Sequence, residues 1–447
     1  MKLPRPIERW QSRTTFMLAL SLAVMGLGNV ARFPWLLGEN GGAPFMLTYV
    51  LCLLGVSVPL LIAELCVGQH GRGSPLTSLR WAAEVSGVSQ GWLLVAVVAC
   101  LGAATLAILA TVFGGWALSY AYDLQLGRFA AVDLSQSAQA LDQNLAVPSG
   151  FARWQLLFAM LTLAIAAAGV RRGLGLFAWV ALPALVTLLA ALSIYAVNHG
   201  DLSRTNAYLF IWQELDYDRG SFLAALGFAI YTLSAGVAVG LSYGAYAPAK
   251  VPLVRCVLAV ALFDTVVAVT VSVIVVSLTA SANLLPDQGI SLVFVALPFA
   301  FGSQAFGDVY GALFYLALAL MLLGSATALL EPLIASLAST TKLNRWRSAV
   351  VCTLAVWSLS AAATLNLARV ESGYSFLQLL DSLASLVLMP LSLVLVAIFA
   401  GWCMPVQTVR RELGREPYAL FRVWYFVLRY VSVPVVLIAW LWLYAVG

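Results

Sequence analysis

Apolar residues in this chain are gathered into long blocks separated by short connections that hold most of the charges. A helical block of about 20 apolar residues matches the hydrocarbon thickness of a bilayer. Eleven such blocks can be read, at about 14–37, 43–68, 90–122, 151–170, 173–197, 219–247, 252–281, 306–338, 346–366, 373–403 and 417–446. Lipid offers no partner to backbone N–H and C=O groups, so spanning segments of this kind must be helices. The pattern predicts an all-α polytopic membrane protein. None of the connections is long and polar enough for a separate soluble domain, so 1–447 reads as one transmembrane domain.

Two blocks break the rule. Met25-Gly26-Leu27-Gly28-Asn29-Val30-Ala31-Arg32-Phe33-Pro34 puts two glycines, a proline, an amide and a guanidinium inside the first span. An arginine at such a depth costs about 2.5–3.5 kcal/mol on insertion scales. Tyr231-Thr232-Leu233-Ser234-Ala235-Gly236-Val237-Ala238-Val239-Gly240 weakens the sixth span in the same way. Spans one and six each open a set of five, over about 14–197 and 219–403, with one extra helix at 417–446. Interrupted helices at matching places in two halves point to an inverted repeat with a midplane binding site. Glycines at small-xxx-small spacing also serve plain helix packing, and Gly236 with Gly240 fits that reading equally well. Asn29, Arg32 and Pro34 do not.

Composition agrees: 62% of residues are hydrophobic and 10% charged. The net charge of +5 is spread over loops, which argues against nucleic acid as a partner. With the N-terminus cytoplasmic, one side collects Lys2, Arg5, Arg9, Arg13, Arg72, Arg80, Arg171, Arg172, Lys250, Arg255, Lys342, Arg345, Arg347, Arg410, Arg411, Arg415 and Arg422, 17 of the 24 basic residues. The opposite connections carry Asp133, Asp142, Asp201, Glu214, Asp216 and Asp218. The positive-inside rule fixes this orientation, an odd number of spans leaves the C-terminus external, and the protein is expected in the cell's inner membrane. The first apolar run is too long for a signal-peptide core and lacks a cleavage site, so it reads as mature sequence. The six cysteines fall in or at the ends of spans and suggest no disulfide framework. His70 and His199 make no metal site, and nucleotide-type glycine loops are absent. Nothing suggests an enzyme.

At this point the residues resemble a known family, the neurotransmitter:sodium symporters in their shorter bacterial form. The likeness runs from Trp10-Gln11-Ser12-Arg13 through Gly26–Pro34, Glu39-Asn40-Gly41-Gly42-Ala43, Pro59, Glu64, Gly68 and Gly115-Trp116. It continues with Tyr231-Thr232-Leu233-Ser234, Asp264-Thr265, Leu297-Pro298 and Leu330-Glu331-Pro332. The resemblance implies the leucine-transporter fold, a five-plus-five inverted repeat with alternating access, and sodium-driven uptake of an amino acid or related zwitterion.

Position by position, the resemblance assigns a first sodium site to the Val24 carbonyl, Asn29, Thr232 and Asp264. Hard cations want such oxygens. Many members have asparagine at the place of Asp264, and a carboxylate there would take over the role of chloride, making transport chloride-independent. Ala268 stands where some bacterial members carry that charge. As a structural hydrogen-bonding residue, Asp264 would need no ion. The substrate carboxylate would meet Leu27 and Gly28, and its ammonium the carbonyls near Val24, Tyr231 and Thr232 together with Ser234. Its side chain would lie among Leu106, Ala110, Tyr231, Val237, Ser325 and Leu329. Arg32 and Asp381 would form an external gate, and Glu64 would prop the unwound segments. Gly173 and Pro183 match an element of span five that can unwind; a plain proline kink is the alternative.

Four departures stand out. The carboxylate-binding tyrosine of span three is replaced by Ala110, which removes a charge-assisted hydrogen bond worth roughly 1.5–3 kcal/mol and widens the pocket. The second sodium site is eroded: Gly324-Ser325 stands for a Thr-Ser hydroxyl pair, with Leu22, Met25 and Met321 at the carbonyl positions. The cytoplasmic gate has Ile7 and Ser339 where an arginine and an acid are expected, leaving Arg5 or Arg9 as substitutes. Phe228 replaces a glutamine beside the external gate. These keep two other readings open, a non-transporting sensor that retains the fold and a proton-coupled or uncoupled transporter.

Overall fold

Nine of the eleven apolar blocks form a long helix, and the first and sixth form broken ones. The computed structural model describes residues 8–446 apart from 131, 147, 213–216, 249–250, 285–288, 342 and 368–374. Among the described residues, nine helices are long and apolar enough to span, from Ala43–Gly71 and Gln90–Gln125 to Phe376–Cys403 and Tyr418–Leu441. Span one is a bent pair, Arg13–Val24 and Gly28–Glu39, whose axes differ by 52°. Span six is also a pair, Arg219–Thr232 and Val239–Ala245, separated by six non-helical residues. Both expected interruptions are therefore real breaks.

Burial sorts the spans. Span two and span eight (Gly307–Thr340) are 78% and 83% buried over their most apolar windows, whereas span eleven reaches 28%. Helices apolar all round belong in the centre. Span eleven lies against span two, where Trp424 Nε1 donates to the Pro59 carbonyl at 3.1 Å and Ser432 Oγ to the Gly55 carbonyl at 2.8 Å. Span five opens with a π-helical turn, Val170–Gly175, and then runs unbroken through Pro183 to His199. Glu8 accepts from the Val170 amide at 2.7 Å and so caps that turn.

Spans two and six touch backbone to backbone. A Cβ on Gly68 would sit 2.0 Å from the Leu241 carbonyl oxygen, and one on Gly244 would sit 2.2 Å from that of Leu65. This contact fixes the second half of span six, so a methyl group there must push the helices apart. Gly68→Ala is expected to cut the yield of folded, monodisperse protein several-fold by size-exclusion chromatography, whereas Gly55→Ala, with open space around it, leaves the yield unchanged.

Candidate functional site

The break in span one begins at Met25, which is extended at φ −77°, ψ 139°. The helix restarts at Gly28, so the amides of Leu27 and Gly28 point out of its N-terminus without intrahelical acceptors. A helix end of this kind attracts anions. In span six the chain takes positive φ at Ser234 (47°), Gly236 (81°) and Ala238 (58°) before the helix resumes at Val239. Glycine adopts that geometry freely; serine and alanine there are strained and must be held by their surroundings. Glu64 does part of the holding, accepting from the Gly236 amide at 3.0 Å, and Ser392 Oγ donates to the Gly236 carbonyl.

The two breaks meet at Asp264. Its Oδ1 accepts from Asn29 Nδ2 at 2.9 Å and its Oδ2 from Thr232 Oγ1 at 2.7 Å. Asp264 is wholly buried, with Asn29 and Thr232 nearly so. A buried carboxylate needs such partners, and one inside a membrane span is a functional candidate in its own right. The Asp264 carboxylate and the Thr232 hydroxyl oxygen meet here, and the Asn29 amide oxygen, which accepts from the Gly26 amide at 3.3 Å, stands one side-chain flip away. Carboxylate, hydroxyl and amide oxygens are a donor set that fits a hard cation such as sodium. Ser234 Oγ donates to the Ala23 carbonyl at 3.4 Å, a second tie between the breaks.

Beside this cluster lies a cavity of about 1120 Å³. Of the residues assigned to substrate, Val24, Leu27, Gly28, Leu106, Ala110, Tyr231, Thr232, Ser234, Ser325 and Leu329 all line it. Val237 does not. The left-handed turn at Gly236 directs its side chain to Gly102, where a Cβ would stand 3.2 Å from Val237 Cγ1, so it packs spans three and six together. Leu22, Met25, Met321, Asp264 and Glu64 also lie outside the lining; they are buried behind it. Leu109, Phe113, Phe228 and Leu322 belong to the wall, although the motifs did not single them out for it. Phe228 stacks on Phe33 at 5.0 Å between ring centres, so apolar packing replaces the family's glutamine.

Arg32 and Asp381 form an ion pair across the cavity, with the guanidinium 4.7 Å from the Tyr231 ring centre. Both side chains remain about a third exposed, at 34% and 30%, because the cavity continues past them to Gly220, Leu377 and Gln378.

The other end is shut by residues whose joint role the motifs did not reveal. Glu331 of span eight is fully buried and takes two N–H bonds from Arg345, at 2.8 and 2.6 Å, and one from Tyr246 Oη at 2.6 Å. Arg345 also donates to the Ala166 carbonyl at 2.9 Å. The amide of buried Trp10 donates to the Tyr246 carbonyl at 3.0 Å, and its ring meets Tyr243 edge-on. This latch joins spans four, six, eight and nine to the chain ahead of span one. Ser339, at the expected acid's place, bonds Ser74 at 2.8 Å and the Ser336 carbonyl at 2.9 Å, and Arg9 is exposed; Arg5 and Ile7 lie outside the described residues. The signal was the carboxylate in Leu330-Glu331-Pro332, but its partners are 14 and 85 residues away.

Two broken spans, a cavity where they meet and a closure at either end fit a membrane transporter rather than an enzyme, and the family and fold agree. The family model of the sodium:neurotransmitter symporters matches residues 7–128 and 134–446. The chain belongs to the sodium:neurotransmitter symporter family. It is 26% identical to the sodium-dependent transporter YhdH of Bacillus subtilis over 98% of this chain and 97% of that one. A 67-residue stretch is 39% identical to the human sodium- and chloride-dependent taurine transporter, covering 15% of this chain and 11% of that protein. Among solved structures, MhsT in complex with L-phenylalanine superposes with a TM-score of 0.88 at 28% identity, over 98% and 99% of the two chains. The fold is thus the leucine-transporter fold, two inverted sets of five spans with one added helix, and the chain is a multi-pass, sodium-dependent transporter.

Proposed function

We propose that this protein takes up an α-amino acid with a bulky apolar side chain across the cell's inner membrane, driven by sodium. The observation that carries the reading is Asp264, which gathers Asn29 and Thr232 from the two broken spans at the wall of the cavity. Sodium would be held by the Val24 carbonyl, Asn29, Thr232 and Asp264, where it supplies positive charge beside the substrate carboxylate and the free energy of its gradient. The amides of Leu27 and Gly28 receive that carboxylate, and the carbonyl-rich end of span six with Ser234 receives the ammonium. Ala110 leaves room that a tyrosine would fill, among Leu106, Leu109, Phe113, Leu322 and Leu329. Apart from the gate pair, the described lining carries no charge, which disfavours charged side chains. The relative solved with L-phenylalanine makes that amino acid the natural probe.

Asp264 supplies its own negative charge, so transport is chloride-independent in this reading. In proteoliposomes, uptake of labelled L-phenylalanine is expected to fall more than tenfold when choline replaces sodium and to stay unchanged when gluconate replaces chloride. Uptake that persists in choline overturns sodium coupling, and binding without flux points to a sensor. The latch removes one motive for the sensor, because the end that lacks the usual gate residues is closed by other means. In this reading the latch and the N-terminus face the cytoplasm, which the positive-inside pattern supports.

A further inference from the structure

We infer that this chain has replaced the second sodium site of its family with a direct contact between spans one and eight, so that a single sodium accompanies each substrate. The inference rests on the proposed sodium-driven uptake and deepens it. It starts from a pair of residues exchanged in size. Gly324 stands where a hydroxyl-bearing residue would complete the second site, and Leu22 stands at a position that would lend only its carbonyl.

A Cβ built on Gly324 falls 2.9 Å from the Leu22 Cβ, 2.9 Å from its carbonyl oxygen and 3.3 Å from its carbonyl carbon. Real Cβ atoms do not come so close to backbone, so no side chain fits at 324 while the helices stay where they are. A hard cation of this size keeps its oxygens at roughly 2.3–2.6 Å, so ligands facing each other across it stand about 5 Å apart. The Leu22 carbonyl oxygen, 2.9 Å from the place a side chain on residue 324 would begin, leaves no such gap on this side. The surroundings are dry: Leu22, Met25 and Met321 are at most 2% exposed, and all three are apolar. The one remaining hydroxyl, Ser325, turns to the substrate cavity, with its Oγ 4.0 Å from the place of a Cβ on Gly26.

The residues therefore do not fit a second ion. What they build is a leucine seated on a glycine, a close-packed joint that holds Arg13–Val24 against span eight without an ion. Since small residues let helices approach in membranes, the exchange is a complete structural solution.

Binding of radiosodium to the purified full-length protein counts the ions and needs no organic ligand. One ion per chain is expected, lost in Asp264→Ala. Two ions per chain overturn the inference, as does one ion that survives Asp264→Ala, because that ion would occupy the second site. No binding at all, with uptake indifferent to sodium, overturns the underlying functional reading instead. The double variant Leu22→Gly with Gly324→Thr removes the leucine side chain and supplies the hydroxyl, and it is expected to bind two ions. If it folds by size-exclusion chromatography and still binds one, the joint is not what excludes the ion. In vesicles preloaded with L-phenylalanine, a tenfold sodium gradient is expected to balance a tenfold substrate gradient at zero potential; a hundredfold balance overturns the inference.

Discussion

Asp264→Ala is expected to lower sodium-driven uptake by more than a hundredfold while the protein still inserts and folds. The carboxylate is the common acceptor for Asn29 and Thr232, which come from different broken spans. Hydrogen bonds to a charged group contribute about 1.5–3 kcal/mol each, and both vanish together. The two side chains are left buried without their partner, beside the helix end proposed to receive the substrate carboxylate. Loss of the negative charge weakens any cation placed there. Asp264→Asn is the informative companion: it keeps an acceptor and the side-chain volume but removes the charge. Its uptake is expected to persist with at least a tenfold weaker apparent sodium affinity and to become dependent on chloride. Initial uptake rates titrated with sodium, with and without chloride, measure both effects. If Asp264→Ala transports at the native rate, Asp264 is only a structural residue.

Arg345→Ala is expected to release the latch, because it strips a fully buried carboxylate of its main partner. Removing one side of a buried ion pair typically costs about 3–5 kcal/mol, since the other charge stays desolvated. Tyr246 still donates to Glu331, but a single neutral hydroxyl does not replace a two-pronged guanidinium. Against the small free-energy differences between transporter states, a change of this size shifts the population roughly a hundredfold or more toward the state open at this end. Ser242 is buried deep in the second half of span six, and Ser242→Cys makes a reporter there. Labelling of that cysteine by a charged thiol reagent, applied from the latch side, is expected to rise more than tenfold in Arg345→Ala, with uptake largely lost. Arg345→Lys keeps the charge but not the fork, and an intermediate rate is expected. Unchanged labelling in both variants would mean that Trp10 and its neighbours close this end without the ion pair.

The exposed ends of the cavity behave differently from the latch. Arg32 and Asp381 are each about a third exposed, so their pairing is screened by water and contributes less than the buried pair. In the proposed orientation, that contrast suits an outer gate that opens often and an inner closure that yields only with the whole bundle.

What the sequence alone determined follows from local rules. Lipid admits only apolar helices, so the hydropathy blocks gave the spans. Gly26, Gly28 and Pro34 beside Asn29 and Arg32 marked the first break, and Ser234 to Gly240 marked the second, because such residues cannot stand in lipid without a reason. The intramembrane carboxylates Asp264 and Glu64 were visible for the same cause. Tertiary structure decided whatever depends on which side chain faces which. Val237 left the cavity through a left-handed turn at Gly236 that composition does not specify. Glu331 became a latch through Tyr246 and Arg345, on other helices, and Gly324 met Leu22 across two spans about 300 residues apart. Solvation acts on each residue where it stands, so it can be read along the chain. Packing and pairing act between residues that only the folded bundle brings together.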